Sequence, residues 1–181
     1  LTRDVVSEIS SIKNEPEWMK EFRIKSFECF DKMDNHSWGP KLDIDFDSIT
    51  YYKKRTEELT NDWKKISCAI RNEFKDLGVI DAENKYLDGM GAQYDSEVIY
   101  HNMIKELESK NIIFMDTDSA LKKYPELFLK YFNNLVKYDE NKFTALNGCM
   151  WSGGSFIYIP KGVKLDRPLQ SYFRINSKNM G

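Results

Sequence analysis

Arg174 and Asn176 stand two apart on the run Leu169–Asn176, where apolar and polar residues alternate. Side chains two apart leave the same side of a strand. One face therefore carries Gln170, Tyr172, Arg174 and Asn176, and the other carries Leu169, Ser171, Phe173 and Ile175. An arginine beside an asparagine can hold an anion or line a path for one. The plainer alternative is the wet side of a half-buried strand. The pattern alone leaves both open.

No other constellation competes with this pair. Cys29, Cys68 and Cys149 are an odd count at wide spacing, which argues against a disulfide framework and for a reducing compartment. No Cys-x-x-Cys exists and no histidine stands at metal-ligand spacing from a cysteine, so no metal site and no catalytic group is assigned. Cys29 and Cys68 read as structural, and Met150 and Trp151 beside Cys149 point to burial. His101 lies off the apolar stripe of its expected helix and is expected to be exposed. Asp43-x-Asp45-x-Asp47 opens like a calcium loop, but Ser48 replaces the turn glycine and Lys54 the bidentate glutamate. Ser152-Gly153-Gly154-Ser155 is too short for a phosphate loop and lacks its lysine, and reads as a tight turn needing positive φ. Asn35-His36-Ser37 matches a glycosylation sequon, which carries no weight without a signal peptide.

Composition narrows the class. The 181 residues fit one domain, or one domain and part of another. A balance of 27 basic against 29 acidic side chains argues against nucleic acid as a main ligand. No apolar run approaches the roughly 20 residues of a membrane span. The opening LTRDVVSEIS has no basic n-region before an apolar core, so a secreted protein is not expected.

The elements that must position the pair follow from periodicity. Val5, Ile9 and Ile12 share a helical face, and Asn14-Glu15-Pro16-Glu17 reads as the capped start of a helix burying Met19, Phe22, Ser26, Cys29, Phe30 and Met33. Trp63, Ile66, Ile70, Phe74 and Leu77 predict another helix, stopped at Gly78. Asp95-Ser96-Glu97 reads as the cap of a helix with Tyr100, Met103, Ile104 and Leu107 inward. Ile112–Met115 predicts a short strand, Asp116-Thr117-Asp118 a cap, and Pro125 a helix start with Leu127, Phe128 and Tyr131 inward. After Trp151 the texture changes: Ser155–Ile159 reads as a strand covered on both faces, and Pro160-Lys161-Gly162 as a turn.

Several blocks together resemble one family. They are Lys13-Asn14-Glu15-Pro16-Glu17-Trp18-Met19, Gln93-Tyr94-Asp95-Ser96, Ala145-Leu146-Asn147, the run WSGGSFIY from Trp151 with Pro160 and Gly162-Val163, PLQ-x-YFRIN from Pro168, and Asn179-Met180-Gly181. They are similar to the SufB scaffolds of the SUF iron-sulfur cluster assembly machinery. The sister SufD subunits diverge at the WSGGSFIY and FRIN blocks. The resemblance implies a non-enzyme scaffold that works with the SufC ATPase and SufD and receives sulfur from a cysteine-desulfurase system. An iron-sulfur cluster is built on the complex, and reduced flavin is associated with it. It further implies that Arg174 and Asn176 lie along the sulfur route, that the family's sulfur-accepting cysteines lie beyond Gly181, and that Cys149 inherits no role.

The fold expected is α+β: a helical region over residues 1–135, then over 136–181 the first strands of a right-handed parallel β-helix, incomplete at Gly181. An incomplete strand stack exposes apolar surface, so self-association is expected. A bacterial cytoplasm or a plastid-type organelle is the expected location. The competing readings are a SufD-like subunit, a helical protein-interaction module without cluster chemistry, and a β-helix enzyme acting on acidic glycans; the last lacks any paired carboxylates.

Overall fold

The computed structural model describes residues 1–35, 38, 40–54, 57–176 and 179–180. The chain begins with α1 (Arg3–Lys13) and α2 (Glu17–Lys32), then 3-10 turns at Phe46–Ser48 and Trp63–Lys65. Next come α3 (Cys68–Asp76), α4 (Val79–Tyr86), strands β1 (Gly89–Tyr94) and β2 (Glu97–Met103), and α5 (Lys105–Ser109). They are followed by β3 (Ile113–Asp116), α6 (Thr117–Lys123), α7 (Pro125–Tyr131), α8 (Lys142–Met150), β4 (Ser155–Tyr158) and β5 (Leu169–Arg174). The chain is α+β, and it folds as two compact units, Leu1–Tyr52 with Leu121–Ser152, and Lys53–Ala120 with Gly153–Met180.

The first unit is helical. Gly148 lets α8 approach α2, since a Cβ there would stand 2.6 Å from Ser26 Oγ. Val6, Ile9, Cys149 and Met150 form its apolar centre. Phe22 meets Phe132 and Tyr138 edge-on, at 5.1 and 5.4 Å between ring centroids. The expected α1 face is rotated: Val6, Ile9, Ser10 and Lys13 are buried, whereas Val5 and Ile12 are exposed. Asn14 does not open α2. It closes α1 in the left-handed conformation (φ 50°), and Glu15 turns instead to Arg23. Tyr131, expected inward, is exposed at the end of α7, where only Phe128 is buried.

The second unit holds the strands. β1 pairs antiparallel with β2 and parallel with β5, so β1 is the middle strand. β3 and β4 form a separate antiparallel pair. Ile66, Phe74, Val79, Leu87, Met90, Ala92, Ile99 and Tyr100 make the core that α3 and α4 cover. Glu83 ties that cover down, accepting hydrogen bonds from Trp63, Tyr100 and Asn102.

Three expectations are corrected here. The helix read from Asp95 is the hairpin β1–β2, with Asp95-Ser96 as a two-residue connection between the paired Tyr94 and Glu97. Its apparent helical stripe is divided between β2, the linking Ile104, and α5. Strands thus occur well before Ser155. His101 is not exposed: its ring packs against Phe114 at 4.4 Å and its Nε2 is buried. β4 is a strand as expected, but it is not covered on both faces, since Ile157 is half exposed.

The Pro160–Gly162 turn forms, with Val163 N–H donating to the Pro160 carbonyl and Gly162 at φ 84°. The Asn35-His36-Ser37 sequon and the end of the last block at Gly181 fall partly outside the described residues.

Candidate functional site

The Asp95 turn is the fixed point from which the site is built. Register pairs Tyr94 of β1 with Arg174 of β5, which sets Asp95 beside the end of β5. The Asp95 N–H donates to the Arg174 carbonyl at 2.7 Å, and its Oδ1 accepts the Asn176 N–H at 2.9 Å. The backbone around Ile175 is therefore held on both sides by one residue. Asp95 takes φ 53°, a conformation that aspartate tolerates better than most residues. Its Oδ2 accepts from Lys53 Nζ at 3.2 Å, and Ser96 Oγ accepts from the Lys53 N–H at 2.9 Å.

Glu73 of α3 holds the Arg174 side chain. Arg174 Nε donates to Glu73 Oε2 at 3.0 Å, and the Tyr94 hydroxyl donates to Oε1 at 3.2 Å. Burial first, and then the Glu73 carboxylate, push the Tyr94 phenol above its usual 10, which keeps it a donor. The Glu73 position is set by its neighbour Phe74, which is buried in the core against Trp63. Arg174 stays 41% exposed and Glu73 31% exposed, so the pair faces solvent on one side.

The glycine turn joins the same assembly through Gln93. Gln93 Oε1 accepts the Gly154 N–H at 2.9 Å, and its Nε2 donates to the Asp95 carbonyl at 2.9 Å. Gly153 and Gly154 take φ 63° and 93°, and a Cβ on Gly153 would fall 2.2 Å from Gln93 Oε1. The Thr117 hydroxyl donates to the Gly153 carbonyl. Three blocks that are far apart in sequence, 93–96, 151–158 and 168–176, thus converge within one unit through residues 93–96, 153–158 and 168–176.

The two faces of β5 do not divide as the alternation suggests. Tyr172 packs on the apolar core, while Phe173 and Ile175 are 61% and 57% exposed. Arg174 is half-buried beside Glu73, and Asn176 is exposed. Glu73, Asp95 and Lys53 were missed as partners of the pair. Only Asp95 carried a signal, its place in a short polar turn.

The remaining candidates lie elsewhere. Cys149 is buried, donates to the Leu146 carbonyl, and has its thiol pushed up to about 12 by burial. Cys29 is half-buried and Cys68 exposed, and all three thiols are free. Among the described residues no group of three or more His, Cys, Asp or Glu could hold a metal ion. Asp45 of the acidic run caps the turn that follows it, accepting the Asp47 N–H. No described helix is long and apolar enough to cross a membrane.

Residues 92–171 match the SufBD protein N-terminal region. The whole chain is 57% identical to an iron-sulfur cluster assembly SufBD family protein of Staphylococcus aureus (strain USA300) and to one from strain N315. It is 56% identical to such a protein from Staphylococcus saprophyticus subsp. saprophyticus. In each case the match takes in all of this chain and 39% of the relative. The chain thus spans about two fifths of the length of the curated relatives it matches.

Proposed function

We propose that this chain is the N-terminal part of a SufB-type scaffold for iron-sulfur cluster assembly, and that Arg174 and Asn176 line its sulfur route. The observation that carries the reading is the hold on this pair. Asp95 pins the backbone on either side of Ile175, and Glu73 orients the guanidinium, yet Arg174 remains open to solvent on one side. A strand whose polar residues were merely solvated would need neither restraint. The WSGGSFIY and FRIN blocks favour the SufB over the SufD type.

In the whole protein the chemistry is group transfer to a cargo. Sulfur arrives from a cysteine-desulfurase system, and the cluster is assembled on a complex with SufC and SufD in the bacterial cytoplasm. The scaffold is not itself an enzyme; ATP hydrolysis belongs to SufC. The cavity beside Asp95, lined by Lys53, Glu57, Ile70 and Tyr94 among others, holds only about 80 Å3. That is too small for the tricyclic ring of a flavin, so these residues do not fit one.

A parallel β-helix is the architecture we propose for the strands that follow. The parallel pairing of β1 with β5 supports it. So do Ile157, Phe173 and Ile175, exposed on β4 and just along β5, where a next coil would cover them. In this chain alone a second copy would cover the same surface, which gives self-association.

The test uses the full-length scaffold. Arg174→Ala and Asn176→Ala should keep the complex with SufC and SufD while lowering reconstituted cluster yield, for Arg174→Ala by about tenfold or more, as expected for losing a charged hydrogen-bond donor. Normal yield in both variants returns this strand to a solvated face. Loss of the complex assigns the pair to folding.

A further inference from the structure

The Arg174 guanidinium is gripped on one edge only. Its Nε donates to Glu73 Oε2, and among the described residues no acceptor stands on either Nη group. Glu73 in turn has both oxygens committed, one to Arg174 and one to the Tyr94 hydroxyl. Tyr94 and Arg174 are direct partners across β1 and β5, so the carboxylate bridges a paired position from the helix above it. A guanidinium held at Nε keeps one Nη on the edge beside the fixing carboxylate, as Arg23 does with Glu15, and turns away the other edge, the one shared by the two Nη groups. The charges of Arg174 and Glu73 cancel locally.

We infer that Glu73 is the positioning residue and counter-ion of Arg174: it aims the edge shared by the two Nη groups outward and keeps the resting site near neutral, so that an anionic sulfur species is passed on and not trapped. The inference rests on the reading of Arg174 as a sulfur-path residue. Without Glu73 the guanidinium swings on a flexible stem, and a bare cation there retains any small anion. With it, an incoming persulfide or thiolate meets a pre-aimed donor pair whose attraction is already partly compensated. Tyr94 acts behind Glu73, holding the second oxygen so that the carboxylate cannot rotate away. Phe74, buried beside Glu73 on α3, fixes where that carboxylate starts.

The experiment is nuclear magnetic resonance on the 15N-labelled chain, with sodium thiosulfate as the probe at matched ionic strength. Arg174→Lys assigns the Arg174 Nε–H signal by removing it. The wild type should show that signal resolved from the envelope of free arginines, and Glu73→Ala should return it to the envelope while backbone amides outside the site stay in place. Glu73→Gln keeps an acceptor, so it should retain the resolved signal and bind thiosulfate about two- to fivefold more tightly, the size expected for removing one half-exposed countercharge. An Nε–H signal unmoved by Glu73→Ala overturns the positioning role. Equal thiosulfate affinity in wild type and Glu73→Gln overturns the counter-ion role. A resolved signal with no thiosulfate response in any form overturns the reading of Arg174 as an anion contact and leaves the positioning intact.

Discussion

Two arginine–glutamate pairs, one in each unit, follow opposite designs. In the helical unit Arg23 is fully buried, and its Nε and Nη2 meet both oxygens of Glu15 at 2.7 and 2.6 Å. Two further donors go to the carbonyls of Cys149 and Trp151, each at 3.0 Å, and the Trp151 ring lies over the guanidinium at 4.6 Å. Those carbonyls belong to the end of α8, where backbone acceptors have no partner inside the helix. Arg23 thus has four of its five N–H donors answered, and it closes α8. Among the described residues Arg174 in the strand unit has one side-chain bond, to one carboxylate oxygen, and an open flank. An arginine with nearly every donor answered holds a fold together, whereas one with a single bond is available to something that comes and goes.

The largest effect should therefore come from the buried pair. Removing one partner leaves an uncompensated charge in the interior, which costs about 3–5 kcal/mol. Glu15→Ala should lower unfolding free energy by that amount in urea titration, and Arg23→Ala similarly, since it strips the end of α8 as well. A loss under about 1 kcal/mol in Glu15→Ala would break the contrast.

How much of this contrast was legible in sequence depends on the distance between partners. Glu15 and Arg23 are eight apart, yet a pattern search sees only apolar residues on α2 and passes over an arginine at a buried position. Glu73 and Arg174 are 101 apart, and no local signal links them. α2 and the Pro125 start of α7 formed where expected, but the helix read from Trp63 is broken: Trp63 lies in a 3-10 turn, Ile66 follows it, α3 begins only at Cys68, and Leu77 is exposed. β2 was misread because Tyr100, Met103, Ile104 and Leu107 mimic a helical stripe across a strand and the helix after it. The run Val98-Ile99-Tyr100, rich in β-formers, was the better signal. The exposed Phe173 and Ile175 were beyond reach, because what faces a strand is set by packing and not by the strand.

A smaller effect concerns a buried group left without a partner. His101 packs against Phe114, and its Nε2 has no hydrogen-bond partner among the described residues. Burial lowers its pKa below the usual 6.5, with Asp116 and Glu83 opposing. A lowered folded value means that the unfolded chain binds the proton more readily. Stability from the neutral ring is then present above pH 6.5 and lost as pH falls through the folded value. The urea midpoint should drop between pH 7.5 and 5.5, and His101→Phe, which keeps the ring contact, should flatten that drop. Arg23 has four of its five donors answered, whereas His101 Nε2 has no partner among the described residues. An unchanged slope in His101→Phe would place the titration elsewhere.

The smallest effect on folding belongs to Arg174, and that is what separates the two pairs most sharply. Its ion pair is 41% and 31% exposed, so solvent screens most of the attraction and ordering two long side chains offsets much of the rest. Arg174→Ala should change unfolding free energy by less than about 1 kcal/mol, and raising salt to 1 M should erase most of that change. The backbone clamp survives the substitution, because Asp95 binds the Arg174 carbonyl and the Asn176 N–H and never touches the guanidinium. Asp95→Ala in the same titration should cost more, since it loses the acceptor for Asn176 and places alanine at φ 53°. If Arg174→Ala instead matched Glu15→Ala in its loss, Arg174 would be a second structural arginine, and its open flank would have no functional meaning.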